Sequence, residues 1–530
     1  MKKVIFAILA VTASVLSYAS GSGGGSSVQA VPKPVVFRVL NGAEPATLDP
    51  SLCEDTASHN ILLALFEGLL TYDPETNDGI PGIAESWSVS ADGTVYTFEL
   101  RKSTWSDGVP ITAQGFVDSW LRTLNPETAS PYAWMIAMVV EGAASYLSGE
   151  TGPEAVWIRA LDDYIFEVTM VGPVPYVTSM LPHNVFAVLP LHVIEKHGES
   201  WTLPGNMVSN GAYILEQWRP QEMLSVVRNP RYWDAETVSV DRIIYFPSED
   251  DIVRLNMYLA GEADWLKGGV PPGQLQSMKV RHDFQTTPEL ATIFYDFNHS
   301  IAPLNDVRVR KALAMAFDKQ RFIEHVAQGV HTPTDTMVPP MKGYEPVRGN
   351  HYEVESARKL LAEAGFPGGK DFPKLTILYS TSKIIQVIAE YVQQQWQQNI
   401  NIEVQIENAE WKTVLARAST QDFELLHRGW VGDYLDANTF LEVFQSDSDM
   451  NRGRYSNPRF DRLLQEAARL PAGSGRAEIL RQAEDILIRQ DQAVIPILHL
   501  TSINMIDTDK WGGWTPTILN CHPPKYIYKK

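Results

Sequence analysis

A strand–helix rhythm in the second half of the chain constrains its fold more than any other feature. Apolar residues mark a strand at Leu375 to Tyr379. They then recur on one helical face at Ile385, Ile388, Val392 and Trp396, within a helix expected from Ile384 to Gln398. Ile402, Val404 and Ile406 alternate again, Trp411 to Ala418 has helical spacing, and Phe423 to Leu426 is a short apolar run. Strands alternating with helices build βαβ units, so the expected class is α/β with a largely parallel sheet.

The octet His-Arg-Gly-Trp-Val-Gly-Asp-Tyr, His427 to Tyr434, follows that last run. It is expected to leave the strand at its carboxyl end, where open α/β sheets place their ligand crevice. An indole (Trp430), bare backbone (Gly429 and Gly432) and a carboxylate (Asp433) come together there. These groups suit an extended, amine-bearing guest better than they suit catalysis.

Other elements are legible with less detail. Asn60 to Leu70 and Ala113 to Leu124 have helical spacing, while Val95 to Leu100 alternates as a strand. Val156 to Leu161 and Tyr164 to Thr169 form a hairpin around Asp162-Asp163. Asn305-Asp306 caps a helix through Phe317, Asp318 restarts one to about Gln328, and Glu353 to Ala364 is a helix stopped by Gly365. Arg476 to Arg489 reads as a helix and Ala493 to Leu500 as a strand.

At 530 residues the chain exceeds what one hydrophobic core supports, so two or three domains are expected. Lys2 and Lys3, the apolar run Val4 to Leu16, and small residues at Ser17 and Ala19 have the form of a secretory signal cut after Ala19. The run is too short to span a membrane, and no cysteine follows it to carry a lipid. Gly21 to Ser27 is a flexible spacer. Loss of Lys2 and Lys3 takes the formal charge from −19 to −21, which argues against nucleic acid or anionic lipid as partners. Cys53 and Cys521 are too few for a disulfide scaffold, and whether they pair is a matter of geometry.

Catalytic and metal signatures are missing from the sequence. It has no His-Glu-x-x-His helix, no Gly-x-Ser-x-Gly elbow and no phosphate loop. Asp73 to Glu85 imitates a calcium loop but has Asp78 where the sharp turn requires Gly. His183, His427 and His499 are expected to be packed or hydrogen-bonded rather than metal-bound. No cofactor and no metal are expected, and an exported hydrolase is disfavoured.

A series of short motifs then resembles one family. Glu44-Pro45-Ala46-Thr47-Leu48-Asp49-Pro50, Phe66-Glu67-Gly68-Leu69-Leu70, Ile83-Ala84-Glu85-Ser86-Trp87 and Trp105-Ser106-Asp107-Gly108 come first. Ser209-Asn210-Gly211-Ala212-Tyr213, Asn229-Pro230-Arg231-Tyr232-Trp233 and Leu304-Asn305-Asp306-Val307-Arg308 follow in order. Together they resemble the oligopeptide- and dipeptide-binding group (family 5) of the extracytoplasmic solute-binding proteins of ABC importers. The likeness spans nearly the whole mature chain.

That resemblance implies a two-lobed periplasmic-binding fold (type II) with an inserted domain. Its implied boundaries are a signal at 1–19, a spacer at 20–30, a first lobe at 30–66, 190–288 and 502–530, an insert at 67–189, and a second lobe at 289–501. It implies a monomeric periplasmic receptor that hands an oligopeptide to membrane permease subunits. Asp433 resembles the carboxylate that takes the peptide's α-ammonium, and Gly429, Trp430 and Val431 the strand that pairs with its backbone. Glu54 and Thr56 sit where the first lobe supplies its pairing segment, and Tyr132 and Trp411 resemble residues lining the site. The pattern departs at two places. His427 stands where a guanidinium is expected, followed by Arg428, and Ile385 stands where a basic partner for the peptide's carboxylate is expected. Arg417 or Arg428, or a bridging water, is then the expected substitute. A metal chelate, haem or glycan on the same fold is the alternative guest.

Overall fold

The computed structural model describes residues 33–325, 330–341, 343–471 and 473–530. The expected signal, the spacer and the end of the helix near Gln328 lie outside the described residues. Val35 to Lys530 pack as one unit, built on an 11-stranded mixed sheet. Ten of its strands are named here: β1 Val36–Gly42, β2 Tyr213–Arg219, β3 Met223–Arg228, β4 Arg242–Pro247, β5 Trp265–Lys267, β6 Phe284–Phe297, β7 Leu375–Ser380, β8 Val404–Ala409, β9 Leu425–Val431 and β10 Val494–Ile506. Their order across the sheet is β8-β7-β9-β6-β10-β5-β1-β4-β3-β2, and Thr332–Pro333 pairs with β10.

The expectation of a largely parallel sheet holds only locally. β7 runs parallel to β8 and β9, and β1 parallel to β4 and β5. Between these two parallel groups run β6 and β10, 14 and 13 residues long and antiparallel to each other. Such strands join the two ends of the sheet without a crossover helix, which is why the βα rhythm does not reveal them. Their register breaks between Pro288 and Thr292, where Pro288 has no N–H for the ladder.

Helices and smaller sheets accompany this sheet. Helix Lys383–Ile400 turns Ile388, Val392, Trp396 and Ile400 inward at helical spacing, and the Trp396 Nε1–H donates to the Leu313 carbonyl at 2.9 Å. A separate four-stranded sheet joins Ala84–Val89, Val95–Leu100, Ile165–Thr169 and Ile158–Asp162. Helix Ala113–Leu124, capped by Thr112, packs on it through Phe116 and Trp120. Trp120 meets Phe166 edge-on at 5.1 Å. The buried Lys525–Glu67 pair at 2.7 Å, joined by Tyr232, ties three distant parts of the chain together.

Some expected elements move. The helix expected over Asn60 to Leu70 is Thr56–Leu65, because Asp55 caps it by accepting from the Ser58 N–H, and Phe66 is already extended. The strand expected to stop at Leu426 is β9 and continues to Val431, held by antiparallel pairing from Phe297↔Leu425 to Ala291↔Val431. The octet is therefore largely strand rather than the loop beyond one. Asp73 closes a turn by accepting from the N–H groups of Glu75 and Thr76, with no calcium-loop geometry.

Candidate functional site

A cavity of about 630 Å³ opens where β5, β6, β9 and β10 approach the start of helix Thr56–Leu65. One wall follows from the pairing of β9. Its parallel partner β7 accompanies it only at Leu425 and Leu426, whereas β6 stays with it to Val431. Beyond Leu426, β9 therefore has one edge without a strand partner among the described residues. Gly429, Trp430 and Val431 line the cavity on this stretch. An unpaired edge offers N–H and C=O groups to an added strand. Gly429 keeps the wall thin: a Cβ there would sit 2.8 Å from Ile293 Cδ1.

Asp433 follows at the end of this edge. The Gly432 N–H donates to the Leu290 carbonyl at 2.7 Å, and the Asp433 N–H to Thr439 Oγ1 at 3.0 Å, fixing the backbone. The side chain is 12% exposed, faces the cavity, and its Oδ2 has no hydrogen-bond partner. Burial alone raises its carboxyl to about 8. Its nearest basic group is the His183 ring, with Nε2 3.7 Å from Oδ1. That ring is stacked between Tyr132 and His59 at 5.2 and 5.3 Å, and burial holds it well below the ordinary histidine range. His183 is neutral and supplies no countercharge. A buried carboxyl without a cation is costly to ionise unless a guest brings one.

The opposite wall carries Glu54 and Thr56, just before and at the start of the capped helix. Glu54 Oε2 lies 3.4 Å from Arg452 Nη2, and burial, partly offset by Arg452, raises its carboxyl. Buried Tyr132 and half-buried Trp411 also line the space. Glu54, Thr56, Tyr132, Trp411, Gly429, Trp430, Val431 and Asp433 therefore all line this one cavity.

His427 and Arg428, also expected at the peptide site, are not among the residues lining the cavity. His427 is buried edge-on against Tyr295 at 5.7 Å. The Arg428 guanidinium donates to Asp296 Oδ2 at 2.9 Å and to the Met450 carbonyl at 3.0 Å. Arg428 is thus paired within the fold, whereas the buried His427 packs on Tyr295 with its Nε2 left without a hydrogen-bond partner. Arg417 is likewise engaged, with Glu407 at 2.8 Å and Asp422 at 3.0 Å. Cys53 and Cys521 are both free thiols on the cavity wall. His499 is held by Thr292, Thr334 and Thr336. Among the described residues, the one cluster of metal-type donors is His282, Asp507 and Asp509, away from the cavity lining.

Sequence reasoning missed Lys267 and Glu289, which also line the cavity. Lys267 ends β5 just before Gly268-Gly269 and, as a single lysine on a short strand, had no local signature of a site. Glu289 lies within β6 and had no local signature.

An open strand edge closed off by an uncompensated carboxyl, inside a cavity between two ends of one sheet, defines a receptor that encloses an elongated guest. The model for bacterial extracellular solute-binding proteins, family 5 (middle), matches residues 79–452. The chain belongs to that family. It is 34% identical over 527 residues to the periplasmic oligopeptide-binding protein OppA of Salmonella typhimurium, covering 97% of this chain and 96% of that one. Among solved structures, the periplasmic oligopeptide-binding protein OppAIV of Borrelia burgdorferi superposes with a TM-score of 0.89 at 39% identity, covering 94% of this chain and all (100%) of the other. The OppA of Haemophilus influenzae, in complex with the peptide RPPGFSPFR, gives 0.88 at 31% identity, covering 94% and 99%. The fold is accordingly the family's two lobes with an additional domain.

Proposed function

We propose that this chain is an extracytoplasmic receptor of an ABC importer that captures oligopeptides between two lobes and delivers them to membrane permease subunits. Relatives named as periplasmic oligopeptide-binding proteins support this reading, and one solved neighbour holds a peptide. The observation that carries it in this chain is the buried, cation-less Asp433 at the end of the open edge of β9.

In this account the peptide adds as a strand to Gly429–Val431, so main-chain hydrogen bonds supply affinity without reading side chains. Its α-ammonium meets Asp433, and Glu54, Thr56, Tyr132 and Trp411 close the site from around it. The lobes comprise 30–66, 190–288 and 502–530 on one side and 289–501 on the other, with 67–189 inserted. β6 and β10 carry the chain between them, and their broken register at Pro288–Thr292 is the flexing point. The work is capture, closure and release, with no covalent step. In this reading the protein acts as a periplasmic monomer. No described helix is long and apolar enough to cross a membrane.

A thermal-shift screen with peptides of about two to six residues tests this, because a ligand specific for the folded state raises the melting temperature. Stabilisation by peptides and not by haem, metal chelates or sugars is expected. Stabilisation only by the latter would refute the reading.

A further inference from the structure

We propose that Lys267 is the cavity's receptor for a carboxylate of the guest. This deepens the peptide-binding reading and rests on it.

A peptide that leaves its ammonium on Asp433 still brings at least one carboxylate into a space mostly closed to water. That charge needs a cation. Among the described residues lining the cavity, Lys267 is the only lysine or arginine. The cations considered from sequence are otherwise engaged: Arg428 with Asp296, and Arg417 with Glu407 and Asp422.

The backbone directs Lys267 into the cavity. β5 stops at this residue, and Gly268 and Gly269 follow with φ of 72° and 75°, a left-handed turn suited to glycine. A Cβ at Gly269 would collide with the Arg254 guanidinium. Lys267 Nζ donates to Asn60 Oδ1 at 2.6 Å and to the Asn520 carbonyl at 2.9 Å. Both partners are neutral, and no carboxylate among the described residues pairs with it within 4.0 Å. An ammonium has three N–H donors, so one remains to be shared with a guest. Burial lowers its pKa from the usual lysine value, and the charges of Cys521 and Glu289 only partly offset this.

Apart from Asp433, the other acidic groups lining the cavity have other tasks. Glu54 faces Arg452, Asp251 pairs with Arg254, and Asp55 caps its helix. Glu289 is the exception. It lines the cavity on β6, burial raises its carboxyl to about 7, and Lys267 draws it back down. Glu289 therefore competes with the guest for Lys267. The guest carboxylate is either the peptide's C-terminus or an acidic side chain, and both present the same group.

Calorimetric titration of the wild type, Lys267→Met and Glu289→Gln with four tripeptides separates the cases. The probes are Ala-Ala-Ala, its C-terminal amide, Ala-Glu-Ala-amide and Ala-Gln-Ala-amide. In the wild type at least one carboxylate peptide should bind about tenfold or more tighter than its neutral counterpart. The pair that shows the gain identifies the source. Lys267→Met should abolish the preference and Glu289→Gln should enlarge it. If Lys267→Met fails to fold, the Glu289→Gln result decides alone. A preference unchanged in Lys267→Met, or not enlarged in Glu289→Gln, overturns the assignment. So does equal binding of all four peptides by the wild type. Absence of binding by every peptide would instead remove the peptide reading, and this inference with it.

Discussion

Asp433 Oδ1 stands 3.7 Å from His183 Nε2, yet the two do not form an ion pair. Burial raises the carboxyl to about 8 and depresses the imidazole, so each group is neutral in the empty cavity at pH 7. Among the described residues, no lysine or arginine lies within 4.0 Å of the Asp433 carboxyl. His183 orients the site through its stack with Tyr132 and His59 rather than through charge.

Peptide binding should release protons. Below about pH 8 the empty site holds a protonated Asp433, and pairing with an α-ammonium ionises it. Affinity for free-amine peptides should therefore rise from pH 5 to pH 7, by at most about tenfold per unit. Calorimetry at pH 6.5 in buffers of different ionisation enthalpy should detect release of about one proton per peptide. Proton uptake, or none, would contradict this.

The same group makes the empty protein less stable as pH rises. Its folded-state pKa lies above the unfolded value near 3.8, so the folded state binds the extra proton. Its contribution to stability is complete below pH 4 and is lost as pH rises to about 8. Asp433→Asn removes this loss. The melting temperature of the variant relative to wild type should increase steadily between pH 5 and pH 8, and scanning fluorimetry across that range checks it. Glu289 and Glu484 share the raised direction, to about 7 each, but they cancel in the comparison.

Arg428 is assigned to the fold. Its pair with Asp296 is buried, with side chains 11% and 3% exposed. Arg428→Met should therefore cost about 3–5 kcal/mol by stranding Asp296, seen as a lower denaturation midpoint. Peptide affinity of the folded variant should change much less. The opposite pattern would return Arg428 to the binding site.

Gly432 couples packing to the site. A Cβ there would lie 2.7 Å from Leu290 Cδ2 and 3.1 Å from Thr439 Cγ2, and Thr439 holds the Asp433 N–H. Gly432→Val should cost about 1–3 kcal/mol through overpacking. It should weaken peptide binding as well, by shifting Asp433. Denaturation and titration of one preparation test both effects.

Much of the fold was legible because local rules agree with tertiary ones. The helix through Ile388, Val392 and Trp396 and the strands on either side of it follow from periodicity alone. The mixed sense of the sheet does not, since β6 and β10 pair antiparallel over long sequence separations that no local pattern encodes. In the site, the Trp430–Asp433 stretch announced itself by composition. His427 and Arg428 lie off the cavity lining because their partners, Tyr295 and Asp296, are distant in sequence. Lys267 and Glu289 were invisible for the converse reason: single charged residues on separate strands meet only when the sheet is assembled.

Titrating one tripeptide with a free and with an acetylated amino terminus into wild type and Asp433→Asn decides whether Asp433 receives the ammonium of an enclosed peptide. Removing one partner of a buried charge pair costs about 2–5 kcal/mol. The wild type should therefore prefer the free peptide by at least about thirtyfold, and Asp433→Asn should lose most of that preference. Equal affinity of the wild type for both peptides, or a preference that survives in Asp433→Asn, would contradict the account.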